Sequence, residues 1–426
     1  MDEDAPLDVP QANDWDIETY IGQYAGHNKI NRLLFIAEKR HGQPHELQAL
    51  KLAHDEVKKT ANVAAYQTIV DRIGGRLGPP YCMDRSWLDH QERLATSKQD
   101  RLESELHGYK ANLIKESIRM GHNDLGDFFY ARGDLQNAFK CYVRARDYCV
   151  SGRHMVAMCL SVIQTAFELN NHMHVGNYVA KAEAMPEAAS DLVVSSKLAA
   201  ASGLSMMSAK RYKQAARKLL EVTGDLGSSY NTVLSMQDVA LYASLCALAT
   251  FDRAELASRL VGNLGFKELL NSVPEMREVV LDFQGCRYAR ALANLATLLP
   301  ILGLDLHLET HLQALHQQIR QRALVQYTTP FTSVKLASMA QALNTTEAAL
   351  AKELATLIMD GAISARIDAH AGVLFAKRTE ARAATFAKVL ATSEQYLRET
   401  KAALLRVNLL KHDFMQKPPR GAGSGQ

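Results

Sequence analysis

Two pairs of histidines are the residues best suited to metal chemistry. His307 and His311 are four positions apart, which would place them on one face of a helix. In the zinc motif H-E-x-x-H a glutamate directly follows the first histidine, whereas Leu308 follows His307 here. The sequence shows no third ligand near this pair, so we predict no metal site there.

The second pair, His172 and His174, forms the H-x-H pattern with which the metal site of JAMM-type isopeptidases begins. That motif continues with a serine and an aspartate, but the corresponding positions hold Ala182 and Met185. No serine or cysteine nucleophile motif, kinase motif or dinucleotide fingerprint is present either. The absence of known motifs does not exclude an enzyme, but it argues against one in a chain of helical repeats, and we predict no cofactor and no metal.

The segment after Pro330 has the pattern of a winged helix. Residues 333–340 read as a short helix, and Asn344 with Glu347 resembles a capping box that opens a second helix ending at Gly361. Residues 363–367 alternate between apolar and polar types, and residues 373–376 read as a second strand after a turn.

Winged helices often bind DNA, and the net charge of this segment indicates whether it is suited to that function. Residues 331–380 contain five basic and five acidic side chains, and the second helix, residues 346–360, has one lysine and three acids. Because phosphate contacts dominate affinity for DNA, this helix is poorly suited to it. We expect the open edges of the two-stranded wing to pair with another protein chain instead.

A final helix over residues 380–411 carries an apolar stripe. We expect the stripe to pack with C-terminal helices of other chains in a bundle, and the alternative is that it folds back on the chain's own repeats. The residues that we predict at interfaces are Ile363, Ser364, Ala365, Arg366 and Ile367 in the first wing strand, Val373, Leu374 and Phe375 in the second, and Phe386, Leu390, Leu397, Leu404 and Val407 in the last helix.

The central part of the chain contains a helical repeat. Leu125, Gly126, Phe129, Ala138 and Tyr142 fit the tetratricopeptide pattern, in which small residues let two helices approach each other. Weaker copies follow around Ala166, Val175, Val179 and Ala182, around Gly203, Met206, Ala215 and Leu219, and around Ala247, Leu256 and Leu260. Since one repeat cannot bury its apolar face alone, a stack of helix pairs is expected.

Composition agrees with a folded protein without membrane spans. The 426 residues are 47% hydrophobic and 22% charged, and the formal net charge of +3 argues against a broad nucleic-acid surface. Six scattered cysteines without a CxxC pair indicate reduced intracellular thiols. The N-terminus lacks a signal-peptide pattern, so we expect a soluble protein of the nucleus and cytoplasm.

The predicted fold is mostly α: a right-handed, tetratricopeptide-like helical solenoid, then a winged helix and a C-terminal bundle helix. The predicted domains are a flexible tail (1–16), an N-terminal helical region (17–115), helical repeats (116–325), the winged helix (326–379), the last helix (380–412) and a disordered tail (413–426). The last part of the repeats, from about residue 210, would belong to the same module as the winged helix.

Helical repeats that lead into a winged helix resemble the PCI family, named for the proteasome lid, the COP9 signalosome and translation initiation factor three. The segments that carry the resemblance are residues 212–216, 247–256, 325–334, 339–340 and 357–368, the last ending in Ala365-Arg366-Ile367-Asp368. Residues 16–26, 32–37 and 59–66 resemble the signalosome branch rather than the paralogous proteasome lid branch.

The resemblance implies a non-catalytic scaffold of a signalosome, the complex that removes a ubiquitin-like modifier from cullins and so regulates cullin–RING ubiquitin ligases. Its isopeptidase centre belongs to another subunit. The implied partners are other signalosome subunits and, for the whole complex, cullin–RING ligases, with no nucleic acid and no membrane. A proteasome lid subunit and a winged-helix nucleic-acid binder remain the alternatives.

Overall fold

A computed structural model describes residues 16–377 and 381–412 of the chain. The tails predicted at 1–16 and 413–426 lie outside these residues except for Asp16, as does the start of the predicted last helix at Glu380. Most of the described chain is helical, which confirms the predicted fold class.

The helices follow one another with short connections. The first four are α1 (Ile17–Ile21), α2 (Gly26–Lys39), α3 (Pro44–Val57) and α4 (Val63–Ile73). The next eight are α5 (Arg85–Ala111), α6 (Lys115–Ala131), α7 (Leu135–Ala145), α8 (Gly152–Glu168), α9 (His172–Glu183), α10 (Pro186–Ser190), α11 (Leu192–Ser208) and α12 (Tyr212–Leu219).

The second half of the chain contains the remaining helices and the sheet. Six helices come first: α13 (Met236–Thr250), α14 (Arg253–Glu255), which continues as a π-helical turn (Leu256–Val261), α15 (Leu264–Asn271), α16 (Pro274–Gln284), α17 (Tyr288–Leu302) and α18 (Glu309–Thr328). Then come β1 (Ser333–Lys335), α19 (Leu336–Ala342), α20 (Glu347–Met359), β2 (Ala365–Asp368), β3 (Val373–Ala376) and α21 (Ala381–Lys411).

Short polar side chains start many of these helices. Asp84, Asp134, Ser151 and Asn171 each accept a hydrogen bond from a backbone N–H in the first turn of α5, α7, α8 and α9. Such caps satisfy donors that the helix itself leaves unpaired. The helix–turn–helix rhythm of the repeats is thus encoded locally.

Small residues set the distance between paired helices, as the repeat pattern predicts. A Cβ atom built on Gly126 in α6 would lie 2.6 Å from the Tyr142 ring of α7. A Cβ atom on Gly203 in α11 would lie 2.5 Å from Leu219 of α12. Both glycines therefore allow a close approach that no larger residue permits, and the first and third copies of the repeat are confirmed as helix pairs.

The repeats and the winged helix share one apolar core. A single cluster of buried side chains runs from Ala138 in α7 to Leu374 in β3. Leu315 and Ile319 of α18 belong to it, as does Leu350 of α20. The described part of the winged helix therefore shares its core with the repeats, because α18 connects the two.

The winged helix has three strands where the sequence indicated two. Residues 333–335, predicted as the start of a helix, form β1, which pairs antiparallel with β3 through Val334 and Leu374. The helical prediction fails for these residues because they pair with β3, whose first residue, Val373, lies 38 positions after Lys335. The order in the sheet is β1-β3-β2.

The cap of α20 also differs from the prediction. Thr346, rather than Asn344, is the N-cap, and its hydroxyl accepts from the Ala349 N–H. Asn344 instead adopts a left-handed backbone conformation with φ 52°, which places it in the turn before the cap. At the other end Gly361, with φ 73°, follows the C-cap as predicted.

Candidate interaction surfaces

The edges of the winged-helix sheet are the first surface that the sequence predicted. Because β3 is the central strand, β1 and β2 occupy both of its edges, and the prediction of an open edge at residues 373–376 is wrong. Leu374 and Ile363 are buried in the chain's own core. No described strand pairs with the outer edge of β2, and Ser364, Arg366 and Phe375 are exposed near it.

Hydrogen-bond alternation shows which donors this edge offers. The Lys377 N–H donates to the Ser364 carbonyl at 2.8 Å, so Ser364 and Lys377 form a hydrogen-bonded pair. In an antiparallel ladder such pairs alternate, and the register joins Arg366 to Phe375. The backbone N–H groups of Ala365 and Ile367 therefore point away from β3, toward the open edge.

The second helix of the winged helix, α20, packs against other parts of the same chain. Leu350, Leu354 and Leu357 of α20 are buried. On the same helix, both carboxylate oxygens of Glu353 accept the single Nε–H of Arg320 in α18, at 2.9 and 3.0 Å. An acidic side chain held in this way adds to the charge argument against a DNA-reading helix.

The second predicted surface is α21, whose apolar side chains are exposed along its described length. Phe386 is 65% exposed, Tyr396 68% and Leu404 58%. At 100° per residue, seven of the ten exposed large apolar side chains in the described part of α21 lie within roughly 120° of the helix circumference. They are Phe386, Val389, Leu390, Tyr396, Leu397, Leu404 and Val407. The stripe is not folded back on the repeats.

A buried ion cluster, which the sequence did not predict, attaches the N-terminal helices to the middle of the chain. The Arg32 side chain of α2 is 0% exposed. Its guanidinium lies 3.0 Å from the Asp238 carboxylate in the first turn of α13 and 2.6 Å from Asp305, which lies between α17 and α18. It also donates to the Tyr20 hydroxyl and covers the Tyr24 ring at 4.0 Å from the centroid.

Further hydrogen bonds complete the cluster. The hydroxyl of Tyr24 donates to Asp238 at 2.7 Å, and that of Tyr242 donates to Asp305 at 2.6 Å. Asp238 also closes a capping box with Ser235 at the start of α13. The cluster thus fixes α1 and α2 against two segments that lie far away in sequence.

The pKa values of the two carboxylates shift in opposite directions. Burial opposes ionisation of Asp305, but the Arg32 guanidinium and the hydrogen bonds that Asp305 accepts hold its pKa below the ordinary value. Burial raises the pKa of Asp238, although Arg32 acts in the opposite direction. One guanidinium thus serves two acids.

The sequence contains one signal for this cluster, on α2. Arg32 sits among Leu33, Ile36 and Ala37 on the buried side of α2, where a charged residue is rarely found without a partner. The partner carboxylates are more than 200 positions away, and nothing local to them indicates the pairing.

Histidines of both candidate metal motifs contact aromatic side chains of the same chain. His307 precedes α18, which begins at Glu309, so His307 and His311 do not share a helix face as predicted. His311 is buried, and its Nδ1 lies 3.2 Å from the Tyr212 hydroxyl. Among the residues that the structure describes, no three His, Cys, Asp or Glu side chains are placed to hold a metal ion.

The fold defines the class of protein. Stacked helix pairs that run into a winged helix are the architecture of PCI proteins, and a family model described as "PCI domain" matches residues 298–378. A model described as "26S proteasome subunit RPN7" matches residues 84–259, which cover α5 to α13 and the turn after α14. No described helix is long and apolar enough to cross a membrane.

Similar proteins indicate which family within this class the chain belongs to. The chain is 48% identical to COP9 signalosome complex subunit 1 of Arabidopsis thaliana, over 95% of this chain and 92% of that protein. It is 36% identical to COP9 signalosome complex subunit 1b of Drosophila melanogaster, over 96% and 88%. Similarity to 26S proteasome non-ATPase regulatory subunit 6 of Caenorhabditis elegans is lower, 24% identity over 76% of this chain and 82% of that protein. The chain belongs to the COP9 signalosome subunit 1 family.

Proposed function

We propose that this chain is a non-catalytic scaffold of a COP9 signalosome, in the nucleus and cytoplasm. The whole complex would remove a ubiquitin-like modifier from cullins and so regulate cullin–RING ubiquitin ligases. The family supports the complex, and the absence of a serine and an aspartate at the motif positions after His174, which Ala182 and Met185 occupy, supports a role without catalysis. The proposal includes neither nucleic acid nor a membrane as partner.

The observation that carries the proposal is the exposed stripe of α21. Burying a large apolar side chain is worth about 1.5–3 kcal/mol, so seven exposed side chains on one helix favour a partner strongly. A stripe of roughly 120° is broader than the seam of a two-stranded coiled coil and suits a bundle of several helices. We therefore assign α21 to a bundle with the C-terminal helices of other subunits.

The outer edge of β2 supplies a second contact in this proposal. It offers two outward N–H groups, and pairing with a strand of a neighbouring PCI subunit would satisfy them. The two contacts depend on different interactions, since one buries apolar surface and the other makes backbone hydrogen bonds. They can be tested separately.

The test of the bundle is co-expression of the full chain with the other signalosome subunits. The double variant Leu390→Asp/Leu397→Asp places two charges in the stripe, and we expect its incorporation into the complex to fall at least tenfold, since burying each charge is costly. The melting temperature of the free chain should hardly change, because both side chains are already exposed.

A matched control uses an exposed ion pair of the same helix outside the stripe. Glu394 and Arg398 form an ion pair at 3.5 Å on exposed side chains. The double variant Glu394→Ala/Arg398→Ala should assemble like the wild type. If the stripe variant also assembled normally, or if it lowered the melting temperature of the free chain instead, the bundle would be the wrong assignment for α21.

A further inference from the structure

A cavity of about 370 Å³ lies where three parts of the chain meet. Helices α2 and α4 form one side, the end of α8 forms another, and the segments around Val233 and His307 close it. Its size falls within the usual range for ligand pockets in proteins. None of the contacts proposed above uses it.

The walls combine two kinds of surface. Phe35 and Phe167 contribute aromatic rings. Around them stand the carboxamide side chains of Asn31, Gln164 and Asn170. Carboxamides both donate and accept hydrogen bonds, as peptide groups do, so this rim is suited to a polypeptide backbone.

One carboxylate in the cavity lacks a cation. Glu168, in the last turn of α8, accepts a hydrogen bond from the Tyr130 hydroxyl, which Gln164 also contacts at 2.8 Å. Within the described chain no lysine, arginine or histidine nitrogen lies within 4.0 Å of this carboxylate. Burial, which outweighs the Tyr130 hydrogen bond, raises the pKa of Glu168 to about 7.

The other ionisable groups around the cavity do not neutralise Glu168. Arg72 lies 3.7 Å from Glu38 at the rim and is paired with it. Burial, together with the nearby Arg32, lowers the pKa of His307 to about 4, so its imidazole is neutral at pH 7. Tyr130 stays protonated because burial raises its pKa. The cavity therefore presents one uncompensated acidic group above pH 7.

We infer that this cavity binds a lysine or arginine side chain of a partner protein. The aliphatic stem would lie against Phe35 and Phe167, and the cationic end would pair with the Glu168 carboxylate, as long basic side chains do at other sites. The carboxamide rim would bind the backbone beside that residue. This site is independent of α21 and of the β2 edge.

The inference is tested on the full chain with two matched probes. The first is Nα-acetyl-lysine N-methylamide, which keeps a free side-chain ammonium group. The second is Nα-acetyl-norleucine N-methylamide, which has the stem but no ammonium group. Saturation-transfer NMR titrations at pH 6 and pH 8 measure both affinities. The lysine probe should bind roughly tenfold more tightly at pH 8, because the ionised fraction of a carboxyl group with a pKa of about 7 rises about tenfold over this range.

Variants identify the group responsible. Glu168→Gln is isosteric, keeps an acceptor for Tyr130 and should abolish the pH dependence. Glu278→Gln, which removes an exposed carboxylate of α16 outside the cavity, should not change it. The norleucine probe should bind weakly and equally at both pH values.

Three results would overturn the inference. The first is no binding of the lysine probe at either pH, and the second is equal binding of the two probes. The third is butylamine binding as tightly as the blocked lysine, which would assign the cavity to a free amine and not to a protein. None of these results bears on assembly through α21, so failure here is distinguishable from failure of the proposed function.

Discussion

Arg32 shows how much of this molecule depends on one side chain. It is a wholly buried guanidinium that two carboxylates, from α13 and from the segment before α18, neutralise at 3.0 and 2.6 Å. A buried pair of this kind adds little net stability compared with apolar packing, but the loss of one partner is costly. Its specific contribution is to fix which segments meet.

Replacing Arg32 by methionine keeps much of the side-chain volume and leaves Asp238 and Asp305 without their counter-charge. We expect the free energy of unfolding to fall by about 3–5 kcal/mol, the usual cost of breaking a buried pair on one side. Urea unfolding at pH 7 measures it. The exposed control Arg72→Met should change the same quantity by about 0.5 kcal/mol or less.

The pH dependence of that variant provides a second readout. Because the pKa of Asp305 is lowered in the fold, its ionisation stabilises the wild type above the ordinary aspartate pKa, and this stability is lost as the pH falls through the lowered value. In Arg32→Met that acid-dependent part should shrink. A variant as stable as the wild type, with the same acid profile, would contradict the role assigned to the cluster.

Among the elements, β2 makes the clearest prediction about assembly. Its alternation places the Ala365 N–H on the open side and the Arg366 N–H on the side of β3. An edge strand tolerates proline where the N–H faces outward, and proline there blocks pairing with another strand.

Ala365→Pro should therefore leave the melting temperature of the free chain almost unchanged and weaken binding to the neighbouring PCI subunit about tenfold. The reason is the loss of an intermolecular hydrogen bond, worth about 0.5–1.5 kcal/mol, together with the clash of the ring with an incoming strand. Binding is measured by titration of the purified subunits. Arg366→Ala, which keeps every backbone donor of the strand, is the control, and equal affinities for the two variants would rule out pairing at this edge.

At the scale of the whole molecule, the described residues form one long continuous core and two smaller clusters, one N-terminal and one between α5, α6 and α7. The N-terminal cluster holds side chains from α1 to α5 and only Leu304 from the later part of the chain. The large cluster extends from the repeats into the winged helix. One continuous core thus connects the repeats to the C-terminal elements for which we propose partner contacts.

A scaffold should be catalytically silent. We expect the purified chain to release no modifier from a modified cullin in the presence of zinc, because the positions that would follow His172 and His174 in an isopeptidase hold Ala182 and Met185. A gel assay of the released modifier measures it, with the assembled complex as positive control. Zinc-dependent turnover by the isolated chain that His172→Ala abolishes would contradict the prediction.

The sequence by itself determined the helical repeats, the winged helix and the amphipathic last helix, because their signals are local. Gly126 and Tyr142 are 16 positions apart, and the caps and apolar periods act within single elements. Only the tertiary structure decided that residues 333–335 form a strand, that β3 is central, and that Arg32 meets a carboxylate 273 positions away. These features depend on pairing between distant segments. No period or cap encodes such pairing, because its free energy arises only when the chain has already brought the partners together and removed water from around them.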